Sequence, residues 1–287
     1  MKRSCAVSHR GLACLTVLLL LPLGVFDARL HAQAGEEAKD EKKSLLLREM
    51  RELVEGFKVY QVDGTRVPAE LVGDPLLRFI DAVDRNQDGS VWVWGRTGRP
   101  AAIMQLWRDL PDGRLWFHSI TSLSSGLVAA ERGGGWRWSP SKPGIELKRF
   151  PQPPPPAEQK AGRLRQMKEL AQHVTAHEVW ANGQRFELRL LLRPVHRYDD
   201  PKAGLVDGAI FILARGTDPE IALLIEVVAK DPSPPTWQYG LASTSSAELH
   251  VSLDGHEVWQ TAPGDGRPTD PYWLSWQPVR QQGLGSN

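Results

Sequence analysis

Cysteine is nearly missing from this chain. Two occur in 287 residues, Cys5 and Cys14, and both fall in the first 34. From residue 35 onward there is none. Disulfides, thiol nucleophiles, Cys-ligated zinc and iron–sulfur clusters are therefore excluded from that part, and its fold must be held by a core. An excess of charge of one sign is also lacking: 35 Lys and Arg stand against 34 Asp and Glu, a formal +1. No block of basic residues interrupts the pattern, so a nucleic-acid partner is not expected. The catalytic signatures most easily read from sequence are absent as well. There is no G-x-S-x-G elbow, no G-x-x-x-x-G-K-[ST] loop and no G-x-G-x-x-G after a strand. Residues 133–135 are three glycines, but no helix follows to turn them into a phosphate cradle.

What is present begins with an export signal. Lys2, Arg3 and Arg10 form a basic start, residues 12–25 (LACLTVLLLLPLGV) an apolar stretch, and Ala32-Gln33-Ala34 a small-x-small cleavage site. The apolar stretch is short of the ~20 residues of a membrane span. Cys14 precedes most of it, so it is not placed as a lipid-modified cysteine. Cleavage after Ala34 removes four basic residues and one acidic residue, turning +1 into −2. The expectation is an exported protein, periplasmic or extracellular, with no stable membrane span after cleavage. An uncleaved anchor is the alternative.

The most apolar part of the rest is residues 207–229, DGAIFILARGTDPEIALLIEVVA. It reads as two strands, 209–214 and 221–228, joined by a turn containing Gly216, Asp218 and Pro219. Both arms are apolar on both faces, so this hairpin is expected at the centre of the fold, covered on each side. Glu226 interrupts the second arm. A turn over 216–220 would set it opposite Ile210, with Arg189 and Arg193 as partners.

Around this hairpin the chain reads as a helix over 36–55, a strand over 57–62 and a short helix over 76–83 capped by Asp74-Pro75. A meander comes next, with strands at 90–95, 101–108, 114–121, 127–131 and 135–138. Residues 150–156 (FPQPPPP) are an extended connector, either a domain linker or a surface strap. Residues 157–173 form an amphipathic helix through Leu164, Met167, Leu170 and Ala171. A second meander has strands at 176–180, 185–192, 237–243, 248–253 and 257–261, with Asn182-Gly183 marking a hairpin. The expected class is α+β: an extensive curved antiparallel β-sheet, built as meander, helix and second meander, with the central helix packed across it. The expected division is a signal peptide (1–34), a helical and extended segment (35–85), a β-rich domain (86–262) and an irregular tail (263–287) that docks on the body through Tyr272, Trp273 and Trp276 or is disordered.

Three groups of residues carry chemical interest. Asp84, Asn86 and Asp88 match the first half of a calcium loop, but position twelve is Gly95 where a bidentate Glu is required, so an Asx-rich turn is the simpler reading and no metal is expected. His173 and His177 have helical i, i+4 spacing, yet Val174 stands where a zinc protease needs Glu. His118, Ser119 and the Ser-rich 121–125 run are compatible with a site but define none. The sharpest feature is tryptophan: eleven residues, all beyond residue 34. Trp92 with Trp94, and Trp136 with Trp138, are two apart on strands and share a face. They would make an aromatic platform for sugar rings, line a pocket for an apolar ligand, or simply fill a core.

A set of phrases also resembles a known group. Asp74-Pro-Leu-Leu-Arg78, Gly98-Arg-Pro-Ala-Ala102, Pro143-Gly-Ile-Glu146, Phe186-Glu-Leu-Arg-Leu190, Asp207-Gly-Ala209, Gly216-Thr-Asp-Pro-Glu220, Trp237-Gln-Tyr239 and Glu257-Val-Trp259 are similar to an uncharacterised family of exported proteins from planctomycete-type bacteria, over about residues 70–262. That resemblance implies no activity, cofactor or catalytic residue. Gly135-Trp-Arg-Trp-Ser-Pro140, ending a meander, resembles half-barrel lipoprotein carriers of the periplasm at the level of fold. The function expected is non-enzymatic: a binding or interaction protein of the cell envelope, without cofactor, whose partner is an envelope protein or an apolar or glycan ligand. The alternatives are a half-barrel carrier of lipid and a carbohydrate-binding or carbohydrate-active protein.

Overall fold

The central hairpin forms as its composition demands. In the computed structural model, which describes residues 41–81, 87–109, 114–230 and 233–279, strands β12 (Leu205–Arg215) and β13 (Asp218–Lys230) pair antiparallel through a tight turn at 216–217. Gly216 takes a left-handed φ of 59° there, which a side chain would resist. The signal segment, the cleavage site, and Asp84 and Asn86 of the calcium-like run lie outside the described residues. The chain divides into two compact units, 1–48 and 49–287. Of the first, residues 41–48 are described and are helical; they begin helix α1 (41–55), whose remaining turns open the second unit.

The second unit is mostly antiparallel sheet. Its strands in chain order are β1 (Lys58–Asp63), β2 (Thr65–Ala69), β3 (Leu77–Asp81), β4 (Gln87–Trp94), β5 (Ala102–Asp109), β6 (Leu115–Ser122), β7 (Leu127–Arg132), β8 (Trp136–Trp138) and β9 (Lys148–Arg149). Helix α2 (Lys160–Gln172) comes after them, then β10 (Val174–Val179), β11 (Arg185–Asp200), β12, β13, β14 (Ser233–Ser243), β15 (Glu248–Leu253), β16 (His256–Thr261) and β17 (Tyr272–Pro278). They make three sheets: β2-β1-β7-β8, β17-β6-β5-β4-β3, and an eight-stranded sheet β16-β15-β10-β11-β12-β13-β14-β9 that curls into a half-barrel. The expected α+β class is the one observed.

Alternation along β12 and β13 sorts the core. Ala209, Phe211, Leu213, Leu223 and Ile225 face one way, into a cluster closed by Met167, Leu170 and Ala171 of α2 and by Phe150. Ile210, Ile212, Ala222 and Leu224 face the other way, against Phe79, Val91, Val93 and Ile103 of the five-stranded sheet. The hairpin is thus covered on both faces, and α2 lies across it as expected. The five-stranded sheet is the middle layer. Its far face meets Met50 of α1 and Phe57, which joins α1 to β1: Ser90 Oγ donates to Met50 Sδ, and Phe57 meets His118 edge-on at 5.2 Å.

Several expectations are corrected. Residues 77–81 are strand β3, not part of a helix over 76–83. Pairing with β4 supplies the backbone bonds, and the end of the Phe79 ring covers Gly89, where any Cβ would sit 2.2 Å from it. With β1 paired to β7 and β3 to β4, residues 49–81 are woven into the sheets rather than standing apart. The stretch after 262 is not wholly irregular: β17 extends the middle sheet by pairing with β6 from Leu115 to Thr121, and Trp273 stacks on Trp136 at 5.0 Å. The proline run is a strap within one unit. Pro154 O accepts from Trp237 Nε1, and Pro155 O accepts from Gln166 Nε2 of α2. Strand β11 runs on to Asp200, eight residues past its expected end, through a bulge.

Candidate functional site

Four charged or aromatic clusters sit inside the fold. Two are clasps on opposite faces of the central hairpin. Glu226, with no exposed surface, receives Arg99 in a two-pronged pair at 2.7 and 2.7 Å, the Tyr198 hydroxyl at 2.8 Å and Gln238 Nε2 at 2.7 Å. Its strand neighbour is Gly208, not Ile210, because the turn is two residues long and Glu220 bulges out of the ladder behind it. Arg189 and Arg193 are therefore not its partners: Arg189 donates instead to Gly216 O at 2.8 Å. Burial and the Glu226 charge push the Tyr198 phenol up and keep it a donor. On the other face Asp207, also fully buried, is gripped by Arg163 of α2 at 2.8 Å and Arg197 of β11 at 2.6 Å, which ties the helix to the sheet.

The third cluster holds the tryptophans named from the sequence. Trp92, Trp94 and Trp138 are buried to 0, 1 and 0% exposure, and Trp136 is half-buried. The two pairs lie in different sheets, β4 in the middle layer and β8 in the four-stranded one, and so are not on neighbouring strands. Trp92 Nε1 donates to Ser90 Oγ at 2.8 Å and Trp138 Nε1 to Asp270 O at 2.9 Å, so their polar edges are satisfied internally. Buried rings offer no face to a sugar. Nearby, His118 Nε2 lies 2.8 Å from Ser275 Oγ across the β6–β17 pair. It is not a nucleophile–base pair of the usual kind. His118 Nδ1 has no partner to orient it, and burial with Arg132 close by pulls the imidazole down to about 3, leaving a poor base. Ser119 and Thr121 point the other way and donate to the carbonyls of Thr244 and Ser243.

Of the metal-like motifs, only Asp88 of the calcium-like run is described, and the two histidines do not come together as a pair. Asp88 pairs with Arg78. His173 caps α2 and meets Asp254 at 2.6 Å, while His177 has passed onto β10 and stacks on His250 at 4.7 Å, so the two share no helical face. Among the described residues no group of three or more His, Cys, Asp or Glu is placed to hold a metal. Among them, too, no helix is long and apolar enough to cross a membrane.

The fourth cluster is open. At one end of the half-barrel, the end of β10 and the turn after it, the end of β12, the start of β13 and the β14–β15 loop surround a cleft of about 440 Å³. Its size falls in the small-ligand range of ~300–1,000 Å³. Asn182-Gly183 turns the chain so that Trp180 overhangs the cleft; Gly183 has φ 79°. Trp180 Nε1 donates to Glu178 Oε1 at 2.8 Å, and Arg215 Nε lies 3.2 Å from the same oxygen. The Arg215 guanidinium sits 4.2 Å from the ring centres of both Trp180 and Phe186. Asp218 and Glu220 also line the cleft. Glu220 is the bulged residue of β13, and a bulge is a common device for re-aiming a side chain at a site. Ser245 and Ser246 complete the wall. A smaller hollow of about 40 Å³ continues it toward Trp107 and Tyr272. Burial first, then the charges of Asp265, Glu220 and Asp218, push the Tyr272 phenol up.

None of the sequence motifs points to this cleft. Arg215, Asp218 and Glu220 look like turn chemistry, and Trp180 like the end of a strand. The signal that could have found it was the charge at the turn end of the apolar hairpin, Arg215, Asp218 and Glu220, taken together with an Asn-Gly hairpin and a Thr-Ser-Ser run. Compared with known proteins, the chain matches no family model, no curated sequence and no solved structure.

Proposed function

We propose that this is an exported binding protein of the cell envelope, without catalytic role, and that its ligand is a small hydroxyl-rich molecule of the carbohydrate class seated in the cleft at the end of the half-barrel. One observation carries the reading: carboxylates, serine hydroxyls and an indole line one cleft of ligand size. The carboxylates of Asp218 and Glu220 and the hydroxyls of Ser245 and Ser246 accept hydrogen bonds from sugar hydroxyls. The Trp180 ring supplies the apolar surface that the carbon faces of a sugar need. Glu178 takes a supporting part, since its Oε1 is already engaged by Trp180 and Arg215 and so fixes both. The platform expected at Trp92, Trp94, Trp136 and Trp138 is thereby moved to Trp180. Export rests on residues 1–34 and on the resemblance to exported planctomycete-type proteins.

Calorimetric titration with a panel of mono- and disaccharides, including amino sugars, tests the ligand class. Saturable one-to-one binding, lost at least ~10-fold in Trp180→Ala with the fold retained, supports the reading; about 1.4 kcal/mol corresponds to that factor. No saturable binding across the panel rejects it. N-terminal sequencing of protein from its own host is expected to begin at Gly35, and a chain that still begins at Met1 would reject export with cleavage.

A further inference from the structure

The eight-stranded sheet carries a second opening, on a different element. Strand β11 pairs with β12 at Leu191–Ile212 and again at His196–Ile210. Four residues of β11 thus stand against one of β12, and 192–195 leave the ladder. Pro194 suits this break because it has no N–H to give. The excursion lifts Leu192 into solvent at 49% exposure. It also opens a groove of about 770 Å³ between the bulge and Leu76 and Leu77, at the start of β3. The floor and sides are leucines, Pro194 and Val195. The charged residues of the lining are Arg189 and Arg193, and no carboxylate is among them.

We infer that this groove binds a free long-chain fatty acid, with the acyl chain along the leucines and the carboxylate on the arginines. Two features select that ligand. An apolar trough rewards a hydrocarbon chain methylene by methylene. A rim of arginine alone matches a single carboxylate, because the guanidinium fork pairs with both carboxylate oxygens. Arg189 is already steadied by Gly216 O, which leaves Arg193, at the crest of the bulge, as the group to close on the head. This site shares no residue with the cleft at Trp180, so either can fail alone.

The test uses the full chain with sodium octanoate, decanoate, dodecanoate and myristate below their micelle concentrations, read by calorimetry. One equivalent should bind, with Kd tightening about two- to fourfold per added methylene. Decanol, without the charge, should bind at least ~10-fold more weakly than decanoate. Leu192→Gln and Arg193→Glu, both at exposed positions, should keep the melting temperature and each weaken dodecanoate about 10-fold. Sugar binding at the other cleft should not change in either. Absence of one-to-one binding by any of the four acids, equal binding of decanol and decanoate, affinity unchanged in both variants, or binding only to anionic phospholipid vesicles would each overturn the assignment.

Discussion

Glu226 is the residue whose loss should be felt most. A carboxylate with no exposed surface is tolerated because Arg99, Tyr198 and Gln238 all donate to it. Arg99→Met leaves that charge buried with one fewer compensating cation. Urea denaturation should show a loss of about 3–5 kcal/mol, and adding Glu226→Leu should recover only part of it, because Tyr198 and Gln238 then lose their acceptor. His118 makes a prediction of pH dependence. Its native pKa, about 3, lies below the ordinary 6.5 because burial disfavours the imidazolium. Below pH 6.5 the unfolded chain therefore takes up a proton that the native protein refuses. Stability should fall by about 1.4 kcal/mol per pH unit on this account between 6.5 and 3. In His118→Phe, which can keep the contact with Phe57, the slope of stability against pH from 6.5 to 4 should be shallower by that amount. A slope equal to wild type would show that His118 does not contribute. Neither residue's partner was visible in the sequence. The Glu226 register depended on a turn two residues long, and Arg99 reaches it from 127 positions away.

At the scale of elements, what local pattern dictates was readable, and what pairing dictates was not. The apolar hairpin, α2 and the Asn182-Gly183 turn are written in periodicity and turn residues, and they stand where those signals put them. Strand β3 was misread because Asp-Pro before a leucine pair is a helix signal that β4 overrides by pairing. Strand β17 was missed because its neighbours are Gly, Pro and Gln, and its partner β6 is far away in sequence. The bulges at Glu220 and at 192–195 create both proposed sites, yet an extra residue in one strand leaves no mark until its partner is known. Helix α2 gives the test at this scale. Its buried ionic link to the sheet is Asp207, held by Arg163 and Arg197. In Asp207→Asn, amide exchange across 160–172 should quicken about 10- to 100-fold, consistent with losing charge-assisted bonds of ~1.5–3 kcal/mol. The amides of β12 and β13 should change less. Equal loosening of both would show that the clasp supports the whole sheet rather than the helix.

The unit formed by 49–287 is built as layers without a covalent staple, and its middle sheet and the eight-stranded sheet are fastened by bonds from side chains of one to the backbone of the other. Gln105 Nε2 donates to Pro219 O at 2.6 Å and to Thr244 O at 2.9 Å; Thr121 donates to Ser243 O; Thr217 donates to Ile80 O. These bonds run to the strands and loop that shape the Trp180 cleft, so the cleft and the packing of the layers are one mechanical object. Unfolding followed by tryptophan fluorescence and by far-ultraviolet circular dichroism should give coincident transitions, since buried tryptophans occur on both sides of the middle sheet. In Gln105→Leu the midpoint should drop by the equivalent of about 1–3 kcal/mol, with the two signals still coincident. Separated curves would mean that the layers unfold independently.

The pairing of β17 with β6 has a consequence in time as well as in space. Ser275 and His118, direct cross-strand neighbours, are 157 positions apart. A ribosome adding ~5–20 residues per second therefore leaves β6 as an open sheet edge for roughly 8–30 seconds. During that interval Trp116, His118 and Ile120 lack the strand that closes their row, and the emerging chain displays an unpaired edge of the kind that recruits other chains. Edge-to-edge association competes with folding during that interval. A chain stopped after Pro271 would be fixed permanently in that state and should collect in the insoluble fraction.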